Sequence, residues 1–71
     1  MSNFPSLTPK ELIKVLEQNG FVLKHIRGSH HFFINPDNGK IAVVPVHAKD
    51  LPKGTLHSIL KQAGIGKEDI K

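Results

Sequence analysis

The residues best suited to chemistry in this 71-residue chain are its five histidines, His25, His30, His31, His47 and His57. An imidazole titrates near neutrality, so it can both take and give a proton at working pH. The densest cluster is Gly28-Ser29-His30-His31. Neighbouring side chains of a strand point to opposite faces, so His30 and His31 cannot both face the core or both face solvent. Whichever is outward stands beside a glycine turn, where backbone can approach a ligand closely. Alternation alone does not choose between them, because Phe32 and Phe33 put an aromatic ring on each face. An outward imidazole suits cleavage of an RNA backbone. A base takes the proton of the ribose 2′-hydroxyl, the oxygen attacks the adjacent phosphorus, and an acid protonates the departing 5′-oxygen. That route needs no metal, and a Lys or Arg beside the phosphate would hold its developing charge. The plainer alternative is a pair of ordinary strand histidines, one half-buried and one wet. Without further context that alternative is the stronger of the two.

The other candidates rank below His30. His47 follows the third expected strand and precedes Lys49-Asp50; it is a candidate second acid/base group or a loop residue. His25 lies near the Gly28 turn, and His57 lies beside the apolar stripe of the second expected helix. Asp50 would orient an imidazole or cap the segment after it. Pro52-Lys53-Gly54-Thr55 opens the second helix. Its backbone N–H groups, with Lys49 and Lys53, form a candidate phosphate contact. No GxxxxGK[ST] run is present, so this is no phosphate loop. Ser29 and Ser58 lack the strand–elbow–helix scaffold of a serine hydrolase. The histidines show no recognisable ligand spacing and the chain has no Cys, so neither metal nor cofactor is expected.

The elements that must position these residues are short. Thr8-Pro9-Lys10-Glu11 has a capping Thr, a Pro at the first helical position and a Glu three residues after the cap. Leu12, Ile13, Val15 and Leu16 supply an apolar face, and Gly20 is expected to end the helix in the left-handed conformation. Three strands are expected over Phe21–Arg27, His30–Ile34 and Lys40–Val46. Gly28-Ser29 and the Asn35–Gly39 run supply the turns. Pro45 belongs on an edge or at a bulge. Leu56, Ile59, Leu60 and Ala63 mark a second helix starting between Pro52 and Thr55, with Thr55 a candidate cap, and Gly64 closes it. The order predicts an α+β domain, two helices on one face of a three-stranded antiparallel sheet. One domain over 1–71, with its core in about 8–65, is all this length allows.

Ten Lys or Arg against six Asp or Glu give a net charge of +4. A positive surface attracts phosphate backbones. Arg27 is the only Arg, and a Lys-dominated surface suits backbone contact over the bidentate reading of base edges. No apolar run reaches the roughly 18 residues a membrane span needs. Met1-Ser2-Asn3-Phe4-Pro5 lacks the pattern of a secretory signal. Cytoplasmic residence and no membrane partner are therefore expected.

Four pieces in order carry a family resemblance: Asn19-Gly20-Phe21; Gly28-Ser29-His30-His31 with Phe33; Val44-Pro45-Val46-His47; and Leu51-Pro52-Lys53-Gly54-Thr55-Leu56 running into Ile59–Ile65. Over about residues 8–65 the chain resembles the HicA (YcfA-like) toxins of bacterial and archaeal HicA–HicB toxin–antitoxin modules. The resemblance implies a double-stranded-RNA-binding-domain-like α-β-β-β-α fold. It also implies a metal-independent endoribonuclease that cleaves messenger RNA and arrests translation and growth. The family's essential His falls on His30, which would face outward while Phe33 faces inward. A HicB-type antitoxin would cover this region. Lys24, Arg27, Ser29, His31, Lys49 and Lys53 are the expected RNA contacts. The second acid/base group stays open between His47, a neighbouring Lys or Arg, and a single His that shuttles the proton in two stages. Two other readings remain: a non-catalytic RNA-binding module, and a small adaptor that recognises only protein.

Overall fold

A computed structural model describes residues 7–46 and 51–66. Helix α1 (Pro9–Gln18) leads into strands β1 (Val22–Arg27), β2 (His30–Ile34) and β3 (Ile41–Pro45), and helix α2 (Lys53–Ala63) comes last. The strands form one antiparallel sheet in the order β1-β2-β3, as the sequence predicts.

Local chemistry sets the helix limits. The Glu11 N–H donates to Thr8 Oγ1 at 3.1 Å, and the Thr8 N–H donates to Glu11 Oε1 at 2.9 Å. These reciprocal bonds satisfy two amides that a helix start leaves without partners. At the other end Gly20 takes φ +90°, a conformation that costs glycine little. This lets the Phe21 N–H donate to the Leu16 carbonyl at 3.0 Å and the Gly20 N–H to the Glu17 carbonyl at 3.1 Å. The turn thereby folds Phe21 back over Leu16, and both are buried. Phe21 is therefore a helix-closing core residue and not the first residue of β1, as the sequence pattern suggests. Gly64 closes α2 with the same pair of bonds, made by Gly64 and Ile65 to Lys61 and Leu60.

The second helix starts at Lys53, inside the expected Pro52–Thr55 window, but its cap is a different residue. Pro52, not Thr55, occupies the cap position, with φ −56° and ψ 145°. The Leu56 N–H donates to the Pro52 carbonyl at 2.9 Å. Pro52 makes no side-chain cap bond, and its missing N–H costs nothing there, because the helix interior would not use it.

The core lies between the helices and one sheet face. α1 gives Leu12, Val15 and Leu16, and α2 gives Leu56, Ile59, Leu60 and Ala63. The sheet contributes Phe33, Ala42 and Val44, with Phe21, Leu51 and Ile65 closing the ends. Both helices pack on β3, where the small Ala42 and Val44 let them approach. β1 extends past the helical layer, and all six of its residues are exposed. Its pairing with β2 slips between Leu23 and His25, leaving Lys24 as an extra residue. Such a bulge twists an edge strand and blunts it as a template for further pairing. β3 is the other edge, which accounts for Pro45 within it.

Asn35 ties the sheet to α1 and is the one buried polar residue among those described, only 7 % exposed. Its Nδ2 donates to the Asn19 carbonyl at 3.2 Å, and its Oδ1 accepts the Asp37 N–H at 2.9 Å. The Asn35→Ala variant leaves both partners unsatisfied, at an expected cost of about 1–3 kcal/mol. A domain of this size loses roughly 4–8 °C of melting temperature per kcal/mol. Thermal unfolding followed by circular dichroism checks this, and an unchanged midpoint would show that the tether contributes nothing.

Candidate functional site

The register of the hairpins settles which face each histidine occupies. His30 pairs with Arg27 on β1 and with Pro45 on β3, while Phe32 pairs with His25 and Val43. Directly opposed residues share a face, so these six lie together on the outer face, away from the core. Phe33 pairs with Leu23 and Ala42, and His31 with Ile26 and Val44, on the face that meets the helices. Phe33 is 2 % exposed and His30 is exposed. The structure thus sets His30 outward and Phe33 inward.

His30 owes its position to the turn before it. Gly28 takes φ +59°, and Ser29 stays at negative φ. A positive first residue followed by a negative second is the pattern of a tight hairpin turn whose twist matches the strands. The Ser29 carbonyl accepts the Val46 N–H at 2.7 Å, tying the turn to the end of β3. His30 is therefore the first residue of β2, held between two paired strands, with its ring at the end of the sheet.

From there His30 borders an open groove of about 670 Å³ between β3 and α2. Val43 and Pro45 form its β3 side, and Thr55, Ser58 and Gln62 form its α2 side. Pro52 and Gly54 also line it, while Lys53 between them is exposed and is not one of the lining residues. Arg27, exposed, stands across from His30 on the neighbouring strand. The site can present the exposed imidazole of His30 to a substrate, with the exposed Arg27 opposite it on the same face of the sheet.

Other expected site residues fall elsewhere. Lys24 sits at the β1 bulge, exposed but away from the groove. Ser29 is exposed in the turn, where its carbonyl is used structurally. His31 is half-buried on the helix side, and its Nδ1 is buried with no hydrogen-bond partner. It therefore does not join His30 in one site. His25 stacks on Phe32 with ring centroids 4.3 Å apart and 16° between the planes. This packing fixes the outer face one rung from His30. His57 is exposed on α2. His47, Lys49 and Asp50 lie outside the described residues. Among the described residues no group of three or more His, Asp or Glu is placed to hold a metal ion, and no helix is long and apolar enough to cross a membrane. Sequence reasoning missed the Thr55, Ser58 and Gln62 wall. Its signal was present as polar residues at spacings of three and four beside the apolar stripe.

A small α-β-β-β-α domain whose outer sheet face carries His30 opposite Arg27, with His25 one rung away, is the class that fold and site define. The chain belongs to the HicA toxin family of bacterial toxin–antitoxin systems: the family's model matches residues 9–65, from the first residue of α1 to just past α2. Membership makes it the toxin half of such a pair, with an antitoxin as its counterpart. Comparison with curated proteins gives no match.

Proposed function

We propose that this toxin is an endoribonuclease that cleaves messenger RNA, with His30 as its general acid/base. The observation that carries the reading is the exposed position of His30 on the outer face, bordering the groove and opposite Arg27. In this reaction the imidazole takes the 2′-hydroxyl proton as the new O–P bond forms. The bond to the 5′-oxygen then breaks, and that oxygen receives a proton from the imidazolium or from a second group, for which His47 is the first candidate. The products are a 2′,3′-cyclic phosphate and a 5′-hydroxyl, and no metal is consumed or needed. Arg27 stabilises the charge gathering on the phosphate oxygens. The unit is one domain over 1–71, acting in the cytoplasm, where a HicB-type antitoxin silences it by covering His30.

Incubation of the protein with RNA in EDTA tests this. Cleavage that leaves cyclic phosphate ends supports the reading. RNA bound but never cut would make the protein a binding module instead.

Lys24, Arg27, Lys49 and Lys53 are proposed as the phosphate contacts, with Ser29 at the turn; His31, half-buried on the opposite face of the sheet, is not among them. For single strands the affinity falls with salt at a slope of about −0.7 per phosphate contact. Four contacts predict binding about 50-fold weaker at 200 mM than at 50 mM salt. The Arg27→Ala variant should flatten the slope by about 0.7. Fluorescence anisotropy across a salt series measures both, and a slope that the variant leaves unchanged would remove Arg27 from the contact set.

A further inference from the structure

Proton transfer at His30 makes no use of the α2 side of the groove. Thr55, Ser58 and Gln62 are spaced three and four apart and share one helix face, and all three line the groove that His30 borders. Facing them are Val43 and Pro45, half-buried apolar residues of β3, and the buried Ile59 lies beneath. One side of the groove is thus apolar, and the other carries two hydroxyls and a carboxamide. A hydroxyl both donates and accepts, and a carboxamide offers donor and acceptor side by side.

That pairing of surfaces suits an unpaired nucleobase. Its flat face is covered by apolar side chains, and its edge is met by groups able to give and receive hydrogen bonds. A base inside a duplex has its pairing edge occupied, and sequence-specific recognition of RNA is for that reason mostly directed at single strands. The groove begins at His30, so a base held there belongs to a nucleotide beside the phosphodiester being cut.

We propose that Thr55, Ser58 and Gln62 form a base-reading wall that selects the nucleotide flanking the scissile bond in single-stranded RNA. Gln62 is the main discriminator, because only its carboxamide matches two adjacent groups on a base edge. The inference rests on the ribonuclease reading of His30 and deepens it. Charge alone predicts an enzyme indifferent to sequence, whereas this wall makes it selective at one position.

The test is cleavage of a single-stranded RNA pool randomised around one cut site, with products sequenced. The wild type is compared with Gln62→Ala, Gln62→Glu and Ser58→Ala, each checked for folding by circular dichroism. Gln18→Ala, an exposed glutamine on α1, is the control. The wild type should favour one base beside the cut. Gln62→Ala should lower that preference by about 10-fold, the scale of losing one two-bond contact to a base edge. Ser58→Ala should weaken it less. Gln62→Glu, which keeps the shape but loses the donor, should change which base is favoured. Gln18→Ala should leave the preference intact. No preference in the wild type, the same preference in all α2 variants, or equal cutting of a fully paired substrate would overturn the wall and leave the ribonuclease standing. Variants that alter only the hold of the antitoxin would also overturn it. No cleavage by the wild type would overturn the ribonuclease reading, and the wall with it.

Discussion

Replacing His30 with Ala is expected to cut the rate of RNA cleavage at least about 100-fold while leaving the fold intact. A positioned general acid or base contributes about 10²–10⁴-fold to a reaction rate, and one group that serves both proton transfers falls toward the upper end. The side chain is exposed on the outer face, so its removal opens no cavity in the core. Exposed substitutions of this kind usually change stability by no more than about 0.5 kcal/mol. Loss of activity with an unchanged unfolding transition therefore separates chemistry from folding. His25→Ala and His31→Ala are the natural companions. The first removes a ring that stacks on Phe32, and the second removes a ring on the opposite face. Both should retain far more activity than His30→Ala. Expression in cells should give the same order, with growth arrest lost only in the His30 variant. A folded His30→Ala protein cutting RNA at the native rate would end the assignment.

Much of this site was legible in the sequence, and the limits have physical causes. The helix boundaries depend on bonds between residues a few positions apart, so Thr8, Pro9, Glu11, Gly20 and Gly64 announced them correctly. Pro45 likewise marked an edge strand from its missing donor. The face of His30 was different. Phe32 and Phe33 gave both faces of β2 an aromatic ring, so alternation stated only that His30 and Phe33 differ. The family resemblance supplied the choice, and the structure shows its cause: β3 offers Ala42 and Val44 on one side only, and there the helices dock. The Lys24 bulge, the tether at Asn35 and the groove wall all depend on segments distant in sequence. Asn35 in particular read as an ordinary turn residue, because its partner Asn19 lies 16 positions away. Thr55 looked like a cap by type, yet Pro52 takes the position because its fixed φ already suits the approach to a helix.

The adjacent rings of Phe32 and Phe33 give the largest expected effect on stability, and their contrast tests the face assignment itself. Phe33 is among the largest fully buried side chains. Truncating a buried Phe to Ala costs about 3–5 kcal/mol, because the transfer energy is lost and a cavity remains. At about 0.05–0.15 kcal/mol per residue, a chain this short has only about 4–11 kcal/mol in all. Phe33→Ala should therefore lower the melting temperature by on the order of 20 °C and leave a substantial unfolded population at growth temperature. Phe32 is only half-buried and packs on His25 at the outer face. Its truncation removes a stack worth about 0.5–1.5 kcal/mol together with a partial burial, so it should cost clearly less than Phe33→Ala. The toxin activity of both variants would fall in cells, but for different reasons. Phe33→Ala should regain cleavage at low temperature, where the chain refolds, because it leaves the outer face unchanged. Phe32→Ala should remain folded throughout, and any deficit should persist on cooling. Equal losses of stability at the two positions, measured by urea unfolding, would mean that β2 does not present Phe33 to the helices. His30 would then lose its outward position as well, since a one-residue change of register turns every side chain of a strand to the other face.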